Sequence, residues 1–414
     1  MAQLLHAMGD VHPHELKARL ARELSRITFE RWGQKQFKVQ SPKSKEAGQE
    51  PSGGRPGYGV PALAGGAHKN ATVAEVCATF GSIIRPAKAG TQFQAKTIFC
   101  NSGFEAVEAA LKTAMLKTKK RGVIAFEGAY HGLGYGALNA TYRKHFTQFF
   151  RKQLSGFAHF VPFPIAEGTL ASVEAQICSL LRKEEVGAVL VEPVQARGGI
   201  NIPPKQFLPM LRQICDENGA LLVLDEIYTG FGRTGEWFAC EHSTVTPDII
   251  CLGKALTGGF PLSACVGRAD LMDAAWPVST GEAIHTSTFL GHPVGCAMAV
   301  AQIEEIRRLK LIERSASLGR FLLDLLESEI SNLKFQISFR GMGLLLGMEL
   351  RRHDGAPATE ETLGLIKTML HAGFILLPEG EYSSVISFTP PLTISEAQLK
   401  TTVSALQEAL SALK

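Results

Sequence analysis

Between residues 97 and 268, short apolar runs alternate with stretches in which apolar side chains recur every three or four positions. The apolar runs are "TIFC" (97–100), "GVIAF" (122–126), "VGAVLVEP" (186–193), "ALLVLDE" (220–226), "DIICLGK" (248–254) and "SACVGR" (263–268). Between them lie "NSGFEAVEAALKTAMLKTKK", "LASVEAQICSLLRK" and "PKQFLPMLRQICDENG", each with a helical period. The first of these helices has a thin face of Ala106, Ala109, Ala110, Thr113 and Ala114. Strands that are apolar on both faces and alternate with helices predict a mostly parallel sheet covered on both sides.

The flanks read differently. "VHPHELKARLARELSRITFERW" (11–32) predicts an amphipathic helix, with Leu16, Leu20, Leu24 and Ile27 in phase and Pro13 suited to a first turn. Residues 41–66 are dense in Pro and Gly and predict a long loop or disordered insert, followed by a weak helix over 71–84. Beyond 292 come long helices, "GMGLLLGMEL" as a strand, another helix and "SSVISFTPPL", a smaller α+β region. The expected class is α/β. The expected division is an N-terminal helix at 1–34, an atypical stretch at 35–96, a large domain with a mostly parallel mixed sheet at 97–291, and a small C-terminal domain at 292–414.

Composition narrows the function. The 414 residues are 45% hydrophobic and 20% charged, with a net charge of +4. That is ordinary for a globular enzyme and lacks the basic patch of a nucleic-acid groove. The basic run "KTKKR" (117–121) reads as a solvated helix end. The eight cysteines show no CxxC spacing and several lie in apolar runs, so buried free thiols are expected rather than a zinc site or disulfides. No stretch approaches the roughly 18 apolar residues of a membrane helix, and no signal peptide is apparent. A cytoplasmic protein is expected, with no metal, nucleic acid or membrane among its partners.

In open α/β sheets ligands bind beyond the carboxyl ends of the strands, and those ends carry chemistry here. They hold "NSGFE" with Gly103, "EGAYHGLGYG" with Tyr130 and His131, "EPVQARGG" with Glu192 and Arg197, then Asp225 and Glu226, then "LGKALTGG" with Lys254. "HTSTFLGHP" follows, with Thr288. A lysine in such a position can form a Schiff base with an aldehyde. An aspartate can hold a positive ring nitrogen, an aromatic can stack on a flat ring, and N–H groups at a Gly-opened helix can hold a phosphate. Each has an ordinary reading alone: a surface lysine, a turn cap, a helix start, an aromatic plug. Together they match what pyridoxal phosphate requires.

The stretch "LVLDEIYTGFGRTGEWFACEHSTVTPDIICLGKALTGGFPLSA" resembles the signature of the class III aminotransferases, pyridoxal-phosphate enzymes of fold type I. "NSGFEAVEAALKTA", "AYHG", "VEPVQARGG", "TSTFLGHPVGCAMA" and "FTPPLTI" resemble further blocks of that family in the same order. The resemblance implies Lys254 as the Schiff-base lysine and Asp225 as the partner of the pyridine nitrogen. It implies Tyr130 stacked on the ring, Ser102, Gly103 and Phe104 as the phosphate loop, and His131, Glu192 and Tyr228 beside the cofactor. Thr288 would reach the phosphate of a partner subunit, which implies a homodimer. The implied reaction moves an amino group from an amine to a carbonyl acceptor in two half-reactions.

Three positions depart from the family. Ser387 stands where an arginine before "PPL" is usual, Leu133 where many members have arginine after "YHG", and Tyr228 where glutamine is frequent. Arginine clamps are not replaced by serine or leucine, so a carboxylate-poor donor, an ω-amine for instance, is expected. Arg197 is a substitute cation or a loop brace. Relatives usually carry a segment before the "HP" helix and are more compact at 41–66, which leaves open whether the site entrance is complete or rebuilt. Two other readings stay open: a different reaction of the same cofactor (decarboxylation, amino-group migration or elimination) and a catalytically silent dimeric homologue.

Overall fold

In the computed structural model, which describes residues 14–34, 94–278, 283–331 and 334–413, the apolar runs pair into one sheet. Its strands are β1 (Ala95–Cys100), β2 (Gly122–Phe126), β3 (Ala158–Val161), β4 (Val186–Val191), β5 (Leu221–Asp225), β6 (Ile249–Leu252) and β7 (Ser263–Arg268). They lie in the order β1-β7-β6-β5-β4-β2-β3. Neighbours from β6 to β3 are parallel, while β7 runs antiparallel to both β6 and β1. Strands β2, β4, β5 and β6 are buried along their whole length, which is why their sequences do not alternate. The pattern gave no signal for β3, a four-residue edge strand of which only Val161 is fully buried.

Each face of this sheet has its own cover. The Gly103–Thr118 helix lays Ala106, Ala109, Ala110 and Ala114 on one face. Small side chains bring its backbone so close that the Cys251 thiol of β6 lies 3.5 Å from the Ala106 carbonyl oxygen. The other face is covered by the Leu170–Lys183 and Phe207–Asn218 helices, through Val173, Ile177, Phe207, Leu211 and Ile214. Leu20 and Leu24 of the Glu15–Ser25 helix join the same core. His14 caps that helix, its Nδ1 accepting from the Leu16 N–H at 3.1 Å. The single helix expected over 11–32 is interrupted: Arg26–Glu30 is wound wider, and Thr28 leaves helical geometry (φ −111°, ψ −107°). The Thr28 hydroxyl donates to the Leu24 carbonyl at 2.6 Å, a side chain inserted into the helical ladder. Pro13, the 41–66 loop and the 71–84 helix lie outside the described residues.

A second, antiparallel sheet is built from β8 (Gln336–Met342), β9 (Leu345–Arg351), β10 (Leu377–Glu379) and β11 (Val385–Phe388), in the order β10-β11-β9-β8. The Leu311–Glu329, Thr359–His371 and Glu396–Ser411 helices pack on it. "GMGLLLGMEL", expected as one strand, is the corner of the β8–β9 hairpin. Gly343 turns that corner at φ +53°, where a non-glycine is strained.

The hairpin corner is also where the two sheets join. The Leu344 N–H donates to the Arg233 carbonyl at 3.0 Å, and the Ser315 hydroxyl donates to the same carbonyl at 3.0 Å. A Cβ at Gly319 would lie 2.0 Å from the Gly343 carbonyl oxygen, so the helix can cross the corner only as glycine. Gly364, in a neighbouring helix, has nothing within 4 Å of the same position. Gly319→Ala is therefore expected to destabilise by about 1–3 kcal/mol or more through overpacking. Gly364→Ala is expected to stabilise by up to ~1 kcal/mol through helix propensity. Thermal unfolding of the two variants side by side checks the joint, and equal melting temperatures would contradict it.

Candidate active site

Burying a carboxylate is costly unless donors surround it, and β5 ends on two of them. Asp225 and Glu226 are both buried. Glu226 is saturated: the Thr229 hydroxyl, the Ala239 N–H (2.9 Å) and the Cys240 N–H (2.8 Å) all donate to it. It fastens the glycine-rich loop after β5 back onto the strand end. Even so, burial pushes the Glu226 carboxyl up to about 7.

Asp225 is held from one side. The Ile227 N–H donates to Oδ1 at 3.1 Å, and His131 Nδ1 lies 2.8 Å from Oδ2. His131 is fixed in turn by its own N–H, which donates to the Thr141 hydroxyl at 3.0 Å, and its Nε2 is buried without a partner. Next to it, Glu192 accepts from the N–H groups of Tyr130 (2.9 Å) and Ala196 (3.3 Å). Burial pushes Glu192 up to about 7 against the pull of His131, with Asp225 adding to the rise.

Lys254 follows β6 and Gly253 and begins a single 3₁₀ turn at φ +36°, a strained value for lysine. Its Nζ projects into a cavity and lies 4.6 Å from the centre of the Tyr228 ring. Lys254 is exposed to the cavity, yet the protein packed around it disfavours the charged amine and lowers its pKa, with Asp225 and Glu192 opposing the shift.

These groups surround one cavity of about 420 Å³, lined by Gly103, Phe104, Tyr130, His131, Gly132, Leu133, Glu192, Arg197, Asp225, Ile227, Tyr228 and Lys254. Gly132 (φ +116°) lets the "YHG" turn close on the helix start, since a Cβ there would lie 2.3 Å from that of Phe104. At the edge, Ser102 caps the Gly103–Thr118 helix, and its buried Oγ has no partner. Tyr130 is half-buried, edge-on to Phe146 at 5.2 Å, and the Arg197 guanidinium lies 5.8 Å from its ring centre.

Two residues singled out in the sequence lie elsewhere. Thr288 is exposed in the turn before the Pro293–Arg308 helix and does not line the cavity, although the neighbouring Ser287 hydroxyl accepts from Asn101 Nδ2 at 3.1 Å. Ser387 is buried on β11 with its Oγ unpartnered, and it lines a different cavity of about 720 Å³ with Phe374, Leu376 and Pro390. Two residues absent from the sequence-based expectations matter here, Arg143 and Glu379, while Glu226, expected only as a strand-end carboxylate, turns out to be a structural clamp. Glu379 is buried 3.5 Å from Arg197, and Arg143 donates to the Gly380 carbonyl at 2.6 Å. A carboxylate set beside the apolar residues of "LLPEGEYSS" is the one sequence feature at Glu379, and it forms no motif.

An amine of lowered pKa, a half-paired carboxylate, an aromatic wall and an orphaned hydroxyl at a helix start form a donor set that fits a phosphorylated pyridine aldehyde. The fold and this set define an α/β enzyme of the pyridoxal-phosphate type.

Comparison with known proteins gives the family. The class III aminotransferase family model matches residues 66–410. The chain is 36% identical over 314 residues to the acetylornithine aminotransferase of Methanosarcina acetivorans, an alignment that spans 76% of this chain and 72% of that protein. It is 39% identical over 324 residues to the putrescine aminotransferase of Pectobacterium atrosepticum, spanning 77% of this chain and 66% of that one. An amine transaminase from an uncultivated Pseudomonas species, solved with pyridoxal phosphate bound, superposes with a TM-score of 0.70 at 27% identity, covering 82% of this chain and 80% of that one. The chain belongs to the class III aminotransferases: it is an enzyme of fold type I whose cofactor is pyridoxal 5'-phosphate.

The Glu226 clamp generates a prediction of its own. Glu226→Ala leaves the Thr229, Ala239 and Cys240 donors buried without an acceptor and is expected to cost about 3 kcal/mol or more. Denaturant unfolding measures it. A loss below ~1 kcal/mol would show that water replaces the carboxylate at little cost.

Proposed function

We propose that this aminotransferase moves an amino group from a carboxylate-poor donor, an ω-amine or diamine, to a carbonyl acceptor. The observation that carries the reading is the cavity wall. Arg197 is its one arginine among the described residues, and the exposed Leu133 contributes an apolar side chain beside it. Ser387, on β11, carries no charge and lines a different cavity. The relative named for putrescine supports an amine donor, and the relative named for acetylornithine supports an acceptor or donor with a carboxylate that Arg197 would bind.

The roles assigned to the residues follow from their positions. Pyridoxal phosphate supplies an aldehyde that condenses with amines and a ring that draws electrons from a neighbouring C–H bond. Lys254 would hold the cofactor through Nζ, and the same amine, placed at the cavity wall, would serve as the base and acid that moves the substrate proton. Asp225 keeps a proton on the ring nitrogen by a charged hydrogen bond, and His131 orients that carboxylate. Glu192 and the Tyr130 turn close the far side, and Tyr228 bounds the cavity beside Lys254. Ser102 Oγ, Gly103 and Phe104 form the phosphate cradle.

We assign the cofactor-binding domain to residues 97–291 and the small domain to 292–414, a division supported by the two separate sheets. We also propose a homodimer in which Thr288 serves the partner's site. Supporting it, Phe104, Leu133, Tyr135 and Phe150 are exposed along one surface beside the cavity, an apolar patch of the kind that marks an interface. Sedimentation should give the dimer mass; a monomer that still holds the cofactor tightly would sink the shared site. No described helix is long and apolar enough to cross a membrane, and the described cysteines are free. Both are consistent with the cytoplasmic location proposed here.

Two experiments test the chemistry. Borohydride reduction followed by peptide mapping should find the cofactor on Lys254, and Lys254→Ala should abolish both that link and turnover; label on another lysine would overturn the assignment. In single half-reactions, a simple ω-amine should outpace glutamate by about one to two decades, the worth of a missing arginine contact. Arg197→Ala should raise the apparent KM for a carboxylate substrate far more than for a plain amine. Fast glutamate turnover that survives loss of Arg197 would contradict the reading.

A further inference from the structure

Glu379 is a buried acid that the chemistry above does not use. It ends β10 with its side chain fully buried, and its Oε2 has no hydrogen-bond partner. The backbone of the next residue is anchored: the Gly380 N–H donates to the Arg197 carbonyl at 3.1 Å, and Arg143 donates to the Gly380 carbonyl at 2.6 Å. Its carboxylate is not. The nearest cation is Arg197 Nη1 at 3.5 Å from both oxygens, long beside the roughly 2.7–2.9 Å of a charge-assisted hydrogen bond. Arg197 has a part-exposed side chain on a long flexible stem, and it lines the cavity while Glu379, 3.5 Å from it, does not.

The charges around this acid decide what can enter. Burial raises the Glu379 pKa, while Arg197, Arg143 and Lys254 pull it down. A buried carboxylate stripped of its cation costs several kcal/mol. Arg197 can therefore leave Glu379 at small cost when another cation takes its place or when the carboxyl takes up a proton. A substrate carboxylate would instead meet Arg197 where it stands.

We propose that Glu379 is a specificity-determining residue that receives the distal ammonium of a diamine substrate, which displaces Arg197 from it. The exchange is cation for cation, so the buried charge stays balanced. One pair thereby reads two kinds of substrate: Glu379 a second amino group, and Arg197 a carboxylate. Monoamines gain nothing from either. This rests on the reading of Lys254 as the reacting amine and deepens it by naming the donor class.

The test compares putrescine with n-butylamine, which have the same carbon number and differ by one ammonium, in half-reactions of the holoenzyme. Glu379→Gln should lower kcat/KM for putrescine roughly 10- to 100-fold, mainly through KM, the worth of one charged contact. It should leave n-butylamine within about threefold, and Glu379→Asp should recover part of the loss. Equal losses for both amines, with the visible cofactor band unchanged, would overturn the role of Glu379 and leave amine transamination standing. No reaction of the wild type with either amine would overturn both. If the glutamine variant loses its cofactor band, the same ratio in Arg197→Ala decides. With the competing guanidinium gone, putrescine should gain on n-butylamine, and an unchanged ratio would overturn the proposal.

Discussion

A fully buried strand that ends on two carboxylates must find donors for both, and the site is organised around how β5 meets that demand. Glu226 is satisfied completely by one hydroxyl and two backbone N–H groups, and so becomes a rivet that holds the following loop and, with it, Tyr228. Asp225 is satisfied from His131 and the Ile227 N–H, and its carboxylate faces a cavity. The two residues are adjacent in sequence and opposite in use. One removes the conformational freedom that the glycines of "TGFGRTG" would otherwise allow, and the other keeps an acceptor ready for a cation.

The rest of the cavity depends on that arrangement. Glu192 fixes the "YHG" turn through the Tyr130 N–H, and the turn delivers His131 to Asp225. Gly132 permits the turn to press against Phe104 at the helix start, where the unpaired Ser102 hydroxyl lies. Lys254 arrives from the next strand at a strained φ, walled by Tyr228. The second sheet supplies Glu379 to Arg197, so the charges near the cavity come from both halves of the chain.

The parts of this architecture legible in the sequence share one property: a local pattern determined by burial. The strands β2, β4, β5, β6 and β7 are apolar because both faces are covered, and the helix over Leu170–Lys183 shows its period plainly. What was not legible depends on contacts distant in sequence. The edge strand β3 is too short and too exposed to carry a pattern. The corner at Gly343 reads as strand until the Gly319 helix is seen pressing on it, and the break at Thr28 comes from a single hydroxyl. Gly103, Tyr130, His131, Glu192, Asp225, Tyr228 and Lys254 sit at strand ends in the sequence, and the fold gathers them at one cavity. Arg143 and Glu379 show no motif, because their surroundings are made by the small sheet folding back onto the 196–200 turn.

In the mechanism proposed above, the Asp225 carboxylate holds a positive charge on the cofactor's ring nitrogen. Nitrogen NMR of the holoenzyme, reconstituted with cofactor labelled at that atom, measures this directly. The ring nitrogen should be protonated and should not titrate between about pH 6 and pH 9, because a charged hydrogen bond to a buried carboxylate favours the protonated form. In Asp225→Asn the same signal should move to the neutral position. A neutral ring nitrogen in the wild type across that range, or one unaffected by the asparagine substitution, would remove Asp225 from that role.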